Sequence, residues 1–177
     1  MTEKESKNNK EIYTSRLLKC LLDDPTQSIR EIAKELKSHR QRVWRKKKEL
    51  EEEKIIWGYT AVIDDTKMKH GLYQLMMKCK PMTNKFVEIL IKRIVEDEPK
   101  KQNVIVKDML YVNGEYDFIV CFSAPDHARA RRYYNAVRMA YQTYLIEKPV
   151  MVNVDFPLIR EGKVNPDLNK LYDLVPV

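Results

Sequence analysis

Cysteine and histidine are scarce in this chain, with three residues of each among 177. Cys20, Cys79 and Cys121 lie far apart, form no Cys-x-x-Cys motif and have no histidine beside them at zinc-ligand spacing. Free cysteine is among the most frequently buried residue types. We therefore expect all three to be small buried apolar side chains, and we expect neither a metal site nor a cofactor.

Long apolar runs are absent as well. The longest uninterrupted run, 118–122, is far shorter than the roughly 20 residues that a membrane-spanning helix needs. The first ten residues mix charges and contain no apolar stretch typical of a signal peptide. The sequence therefore predicts a cytoplasmic protein without membrane contacts, and its length suits one ordinary domain or two small ones.

Charge is plentiful but unevenly distributed. The formal net charge is +7, and residues 37–48 contain seven Lys or Arg residues and no acid. Four glutamates follow within 49–53. A basic cluster of this density makes polyanions the first partners to consider, although a solvated helix face has a similar composition.

Three helices are predicted before residue 54. Apolar residues at helical spacing over 11–22 predict the first helix. Ser28 and Glu31 have the spacing of a capping box, in which each side chain binds the other residue's backbone amide, and they predict the start of the second helix. Ser38 and Gln41 form a second such pair and predict a third helix that runs to about residue 53. The third helix carries the basic cluster.

Two helices joined by a turn of three or four residues are typical of a helix-turn-helix, whose later helix enters the major groove N-terminus first. At the start of that helix, Arg can bind guanine bidentately and Gln can bind adenine, while lysines further along reach phosphates. Serines at helix N-termini cap the helix and leave amides available to phosphate. The predicted contacts to double-stranded DNA are Ser28, Ser38, His39, Arg40, Gln41, Arg42, Arg45, Lys46, Lys47 and Lys48.

A β-branched and aromatic segment follows at 55–64, with a glycine near its centre. This composition predicts a small wing or a linking strand. The helix-turn-helix domain with this strand is expected to span residues 1–64.

The apolar period changes to two from residue 72, which predicts a half-buried strand. A helix is predicted over 86–94, followed by a strand at 104–112. Asn113-Gly114 is a residue pair suited to a tight hairpin turn, and it leads to a strand at 116–122.

Asp126 is expected to cap a further helix, and alternating valines predict a last strand at 150–154. The order βαββαβ is that of a ferredoxin-like domain, with one antiparallel sheet covered on one face by two helices. We assign it to 65–155 and treat 156–177 as a C-terminal extension. The fold class is therefore α+β, with a winged helix-turn-helix followed by a ferredoxin-like domain.

The predicted sheet has a second face that the two helices leave uncovered. A chain of this length has too little material to cover it, so a second subunit is the expected partner. The sequence thus predicts at least a homodimer. The apolar residues of 156–177 are spaced to pack on a neighbour or to cap the sheet.

A helix-turn-helix followed by a βαββαβ domain resembles the Lrp/AsnC (leucine-responsive, or feast/famine) regulators of bacteria and archaea, over about residues 11–154. The segment 50–64, Leu-Glu-Glu-Glu-Lys-Ile-Ile-Trp-Gly-Tyr-Thr-Ala-Val-Ile-Asp, is similar to the family's end of the recognition helix plus linker. The segment 112–117, Val-Asn-Gly-Glu-Tyr-Asp, is similar to its Gly-x-Tyr-Asp turn. The chain departs from the family pattern at Lys54, where a glycine is usual, and at 145–150, which lacks a threonine-rich pattern.

The resemblance implies a sequence-specific, DNA-binding transcription regulator that forms dimers and possible tetramers or octamers. It also implies an amino acid or a similar small effector bound between sheet domains. Its effector-binding residues are carried over to Gly114, Tyr116 and Asp117, with the carboxylate of Asp117 able to hold an ammonium group.

Two other functions fit the same outline. Some tetrapyrrole decarboxylases of haem biosynthesis share the two domains and use histidine and arginine in the sheet domain. Since no histidine falls in the predicted sheet core and no nucleophile and base are paired by spacing, we predict that the chain is not an enzyme. The other alternative is an architectural protein that binds DNA broadly and ignores small ligands.

Overall fold

The structure is a computed structural model that describes residues 3–96 and 98–176, with side chains from residue 8 onward except that of residue 98. The chain divides into two compact units, Met1–Val62 and Ile63–Val177. None of the helices in the described parts is long and apolar enough to cross a membrane.

The first unit is a bundle of three helices: α1 (Glu3–Asp23), α2 (Ile29–Glu35) and α3 (Arg40–Glu52). All three were expected, and α1 begins about two turns earlier than its apolar pattern predicts. The small core is formed by one stripe from each helix, consisting of Leu17, Cys20, Leu21, Ile32, Ala33, Leu36, Val43 and Leu50. The short connection between α2 and α3 confirms the helix-turn-helix.

The capping box at Ser28 is confirmed, because its hydroxyl accepts from the Glu31 amide and its own amide donates to the Glu31 carboxylate. The prediction that Ser38 caps α3 is wrong. Lys37 adopts a positive φ of 48°, and the amide of Ser38 donates to the Ala33 carbonyl, which closes α2. This closing turn uses Ser38, so α3 begins one residue later, with His39 at the cap and no side-chain capping bond.

The end of α3 has the same geometry. Lys54 adopts a φ of 60°, and the amide of Ile55 donates to the Leu50 carbonyl. A left-handed residue at this position favours glycine, which has no Cβ to clash. Lys54, where the family that the sequence resembles usually has glycine, is therefore a left-handed helix end occupied by lysine.

The segment 55–64 contains no strand, so the strand expected there is wrong. A strand is stable only when its backbone groups pair with a neighbour, and the described residues provide none here. Trp57 is 91% exposed, which shows that the aromatic residues of this segment do not contribute a core.

The second unit is a four-stranded antiparallel sheet in the order β2-β3-β1-β4, with helices on one face. Its elements are β1 (Gly71–Met77), α4 (Asn84–Val95), a short α5 (Glu98–Lys101), β2 (Ile105–Tyr111), β3 (Phe118–Ala124), α6 (His127–Tyr141) and β4 (Val150–Val154). This arrangement confirms the α+β class and the ferredoxin-like domain. The cap at Asp126 is also confirmed, since its carboxylate accepts from the Arg129 amide at 2.7 Å.

Strand register separates the two faces of the sheet. Leu75 pairs with Val120 and Tyr73 with Phe122, and these side chains point towards the helices. Phe86 of α4 packs into the same core and stacks on Tyr144 at 4.3 Å between ring centroids. The alternating pattern predicted for β1 is thus confirmed, with its apolar residues on the face covered by helices and the residues between them on the open face.

The connection between β2 and β3 is not the tight hairpin expected at Asn113-Gly114. It spans 112–117, and Gly114 lacks the positive φ that such a turn requires. The reason is Asp117, whose amide donates to the Met77 carbonyl and whose carboxylate accepts from the Cys79 amide at 2.6 Å. These bonds tie the loop to the end of β1, so β3 begins two residues later than predicted.

The open face of the sheet carries several exposed apolar side chains. Leu110, Val150 and Val152 lie on it and are 51%, 39% and 36% exposed. The C-terminal segment forms a small hairpin, β5 (Ile159–Arg160) with β6 (Lys163–Val164), and then a 3-10 helix, Leu168–Leu174. Pro157 and Ile159 form one side of a cleft of about 310 Å³, and residues of the open face, such as Leu110, form the other side. The hairpin therefore covers part of this face.

Candidate nucleic-acid interface

The helix α3 is anchored by one face and exposed on the other. Val43 and Leu50 are fully buried, seven residues apart, against α1 and α2. The opposite face and the first turn lie in solvent. This places the start of the basic helix at the surface of the unit, which is the position that DNA reading requires.

Four of the predicted DNA contacts are exposed at this end of the helix and are not engaged elsewhere. The side chains of His39, Arg40, Gln41 and Arg45 form no hydrogen bond or ion pair with any other described residue. Arginine and glutamine carry the paired donors and acceptors that match guanine and adenine edges in the major groove. The structure thus leaves these four side chains exposed and without a partner among the described residues, at the start of α3 and in its first two turns.

Two other predicted contacts turn towards α1. The guanidinium of Arg42 lies over the ring of Tyr13, 4.2 Å from its centroid. The ammonium of Lys46 donates to the Glu49 carboxylate at 2.7 Å, and its side chain is only 12% exposed. That hydrogen bond lowers the pKa of Glu49. Lys46 is therefore bound within α3 and is not the free phosphate contact that its position in the sequence suggests.

The last two lysines of the cluster are held loosely. The ammonium of Lys47 lies 4.8 Å from the ring centroid of Tyr59, and Lys48 lies 3.7 Å from Glu52. Exposed pairs of this kind contribute little stability. Both side chains remain able to turn to a phosphate.

The space between α1 and α3 is a cleft of about 640 Å³. Its lining is predominantly basic and consists of Asn9, Lys10, Tyr13, Arg42, Arg45, Lys46 and Glu49. The α1 residues of this cleft were missed by the sequence reasoning. A signal existed, because Lys10 and Tyr13 lie one helical turn apart on α1 and so share a face.

The two serines differ from the expectation that both offer helix amides to phosphate. At Ser28 the Glu31 carboxylate already accepts from both the amide and the hydroxyl, and these bonds lower the pKa of Glu31. A phosphate there would meet a negative charge. Ser38 is half-buried, and its hydroxyl lies 3.2 Å from that of Tyr13.

The predicted effector residues lie together in the second unit. Tyr116 is under the ammonium of Lys78, 5.5 Å from the ring centroid, and Lys78 also pairs with Glu115 and Glu147. Asp117 is half-buried and bound to the Cys79 amide, while Gly114 is exposed with open space around its Cα. The Asp117 carboxylate, which was expected to bind an ammonium group of the effector, thus already accepts a hydrogen bond that holds the loop.

A buried charge cluster in the second unit was missed entirely. Asp65 is 5% exposed and forms ion pairs with Lys107, at 3.1 Å, and with Arg160. Burial would raise the pKa of Asp65, but the hydrogen bonds and charges of the two cations outweigh it, so the pKa is lowered. Arg160 is 95 residues away in sequence, and no local pattern indicates such a pair.

The cysteines form no disulfide. Cys20 and Cys79 are buried as expected, whereas Cys121 is half-buried because it lies on the open face of the sheet, opposite Gln74. Burial raises the pKa of all three thiols. Across the described residues, no three His, Cys, Asp or Glu side chains are grouped to hold a metal ion.

Comparison with known families gives a match to winged helix-turn-helix DNA-binding domains over residues 11–56. The match covers α1 from residue 11 onward, all of α2 and α3, and the first two residues of the segment 55–64. No curated protein matches the sequence.

Solved structures match over both units. An AsnC family transcriptional regulator from Agrobacterium tumefaciens has a TM-score of 0.63 at 16% identity, covering 88% of this chain and 97% of its own. The leucine response regulatory protein of Mycobacterium tuberculosis has a TM-score of 0.67 at 14% identity, covering 87% and 98%. A feast or famine regulatory protein of M. tuberculosis, complexed with L-methionine, has a TM-score of 0.65 at 14% identity, covering 86% and 96%.

These likenesses define the class of the molecule as a helix-turn-helix unit joined to a ferredoxin-like unit. More particularly, the chain has the fold of the Lrp/AsnC regulators, which confirms the fold that the sequence resemblance implied.

Proposed function

We propose that this protein is a sequence-specific DNA-binding transcription regulator in which the start of α3 reads the major groove. The observation that carries the proposal is the exposed surface of His39, Arg40, Gln41 and Arg45 on a helix-turn-helix, free of other described partners. Arg40, Gln41 and Arg45 have the chemistry for base edges.

Phosphate contacts are assigned to the cations that flank this surface. Lys47 and Lys48 lie further along α3, and Lys10 and Arg42 line the cleft beside it. Contacts of this type set register and orientation on the duplex without reading sequence. Lys46 is left out of this set because its ammonium is bound to Glu49.

The DNA-binding form is proposed to be a homodimer, or an assembly of dimers such as a tetramer or octamer. The exposed apolar side chains on the open face of the sheet support it, since an exposed apolar sheet face is stabilised by a second layer. Two recognition helices would then meet half-sites about one helical turn apart, roughly 34 Å. Sedimentation velocity at micromolar concentration should show no stable monomer.

An amino acid or a similar small effector is proposed to control this assembly. One neighbour of the same fold is described as complexed with L-methionine. In this chain, the family resemblance assigns effector binding to Gly114, Tyr116 and Asp117. Binding there would have to keep or replace the bond between Asp117 and the Cys79 amide.

Fluorescence anisotropy with two labelled duplexes tests the proposal. One duplex carries the region upstream of the protein's own gene and the other a random sequence of equal length. We expect the logarithm of affinity to fall with the logarithm of salt concentration, with a slope of about −4 or steeper, because several phosphates are neutralised. At about 150 mM salt the upstream duplex should bind at least ~100-fold more tightly.

Two results would reject the proposal in different ways. Equal affinity for both duplexes at every salt concentration would assign the protein to broad, architectural DNA binding. Absence of binding to either duplex at about 50 mM salt would remove DNA as the partner.

A further inference from the structure

The second unit contains an apolar cavity of about 330 Å³ between α4, α6 and β2. It lies on the helix-covered side of the sheet. Its described lining residues are Arg93, Ile94, Pro99, Val106, Met109, Tyr133, Val137 and Tyr141. None of these belongs to the loop 112–117, so the cavity is distinct from the effector residues that the family resemblance assigns.

The cavity exists because α4 is packed on the sheet at one end only. Phe86 and Leu90, in the first half of the helix, are 1% and 8% exposed. In the last turns, Ile94 and Val95 are 58% and 79% exposed although both are large and apolar. Protein interiors are normally packed without such gaps, and an apolar void lowers stability. A ligand that fills the gap would recover this loss.

The polar groups of the cavity are few. Arg93 is the charged side chain in the described lining, and its guanidinium lies 5.6 Å from the ring centroid of Tyr141. Burial raises the pKa of Tyr133, and Tyr141 adds to the rise, while the Arg93 charge acts in the opposite sense. The guanidinium is therefore close enough to influence both phenols. With five N–H donors, it can bind a carboxylate and keep its other interactions.

We propose that this cavity binds a small carboxylate with an aromatic or branched apolar body, its carboxylate on Arg93 and its body between Val106, Met109 and Val137. An apolar pocket with a few convergent polar groups is the usual form of a small-molecule site. The volume, near the lower end of the range of about 300–1,000 Å³ for such pockets, suits a ligand with one ring. The site would supply the ligand response of the proposed regulator and so rests on that function, but its occupancy is measurable without DNA.

Three probes with one apolar body and different charges test the site on the full chain. These are 3-phenylpropanoate, the neutral 3-phenylpropan-1-ol and the cationic 3-phenylpropylamine. Methyl NMR of protein labelled at Met, Val and Ile reports binding. We expect the signals of Val106, Met109 and Val137 to move while that of Val112, in the 112–117 loop, stays unchanged. The carboxylate should bind at least tenfold more tightly than the alcohol, and the amine more weakly than either.

Three variants distinguish binding in this cavity from non-specific binding to the protein. Arg93→Met keeps the length of the side chain and should reduce carboxylate affinity to that of the alcohol. Arg132→Met, at an exposed position on α6, makes the same change outside the cavity and should bind like wild type. Val106→Phe, at a half-buried position, should fill the cavity and abolish binding of all three probes while the unfolding temperature is maintained.

Equal affinities for acid, alcohol and amine would overturn the proposal, as would unchanged binding in Val106→Phe. Movement of Val112 with the cavity methyls unchanged would place the ligand at the family's loop instead. Each of these outcomes is independent of the duplex-binding experiment, so failure here leaves the DNA-reading role of α3 standing.

Discussion

Replacing Arg40, Gln41 and Arg45 together with alanine is expected to weaken binding to the preferred duplex by about 100-fold or more. A well-placed side chain on a base edge contributes roughly 1–3 kcal/mol of discrimination, and three such side chains are removed. Binding to random DNA should fall much less, because only two positive charges are lost and the salt slope decreases by about two. The variant should therefore lose most of its preference while it keeps most of its affinity for random DNA, as measured by anisotropy with both duplexes.

The matched control removes the same kinds of side chain from a helix of the second unit. Arg132, Asn135 and Arg138 provide two arginines and one amide on the exposed side of α6. Their replacement by alanine should leave both affinity and preference unchanged. If this control lost as much binding as the α3 variant, the effect would be one of net charge and the reading role of α3 would be wrong.

Asp65→Ala is expected to destabilise the second unit by about 3 kcal/mol. Removing one member of a buried ion cluster leaves the other charges without compensation, which typically costs roughly 3–5 kcal/mol. The low end applies because the side chains of Lys107 and Arg160 are 17% and 20% exposed and keep some hydration. Urea unfolding followed by circular dichroism measures the change, with the exposed Asp173→Ala as control. A loss no larger than that of the control would contradict the structural role.

The same cluster predicts how stability depends on pH. The pKa of Asp65 is lowered in the folded protein from its ordinary value of 3.8, so the folded state favours the ionised form. Its contribution is fully present above the unfolded pKa and is lost as the pH falls through the folded pKa. Wild type and Asp65→Ala should thus differ most above about pH 4 and converge in stability below it.

Local patterns predicted most elements of the fold. Helical spacing, alternation in β1 and the caps at Ser28 and Asp126 depend on neighbours within a few residues, and each appears in the structure. The error at Ser38 shows the limit of such reasoning. A serine followed by Gln three residues later fits a cap, but the left-handed Lys37 commits Ser38 to closing the preceding helix.

Features that depend on distant contacts were not predictable. The β2–β3 loop is shaped by Asp117 binding the end of β1, 38 residues earlier, which the Asn113-Gly114 pair does not reveal. The same holds for Lys46. Its neighbours in sequence suggest a phosphate contact, but its ammonium is bound by Glu49, which also pairs with Lys10 of α1. For the candidate site, the sequence identified the helix and the residues at its start. Which of its cations are bound to other side chains, and which are available to DNA, follows only from the packing of α3 against its neighbours.

Methylation interference with dimethyl sulfate on the upstream duplex tests the central claim most directly. The reagent methylates guanine N7 in the major groove and adenine N3 in the minor groove, so one experiment distinguishes the two grooves. If α3 reads the major groove, methylation of a few guanines should block binding by wild type, in two clusters about one helical turn apart. Interference confined to adenines, or absent at every guanine of a bound duplex, would contradict the account.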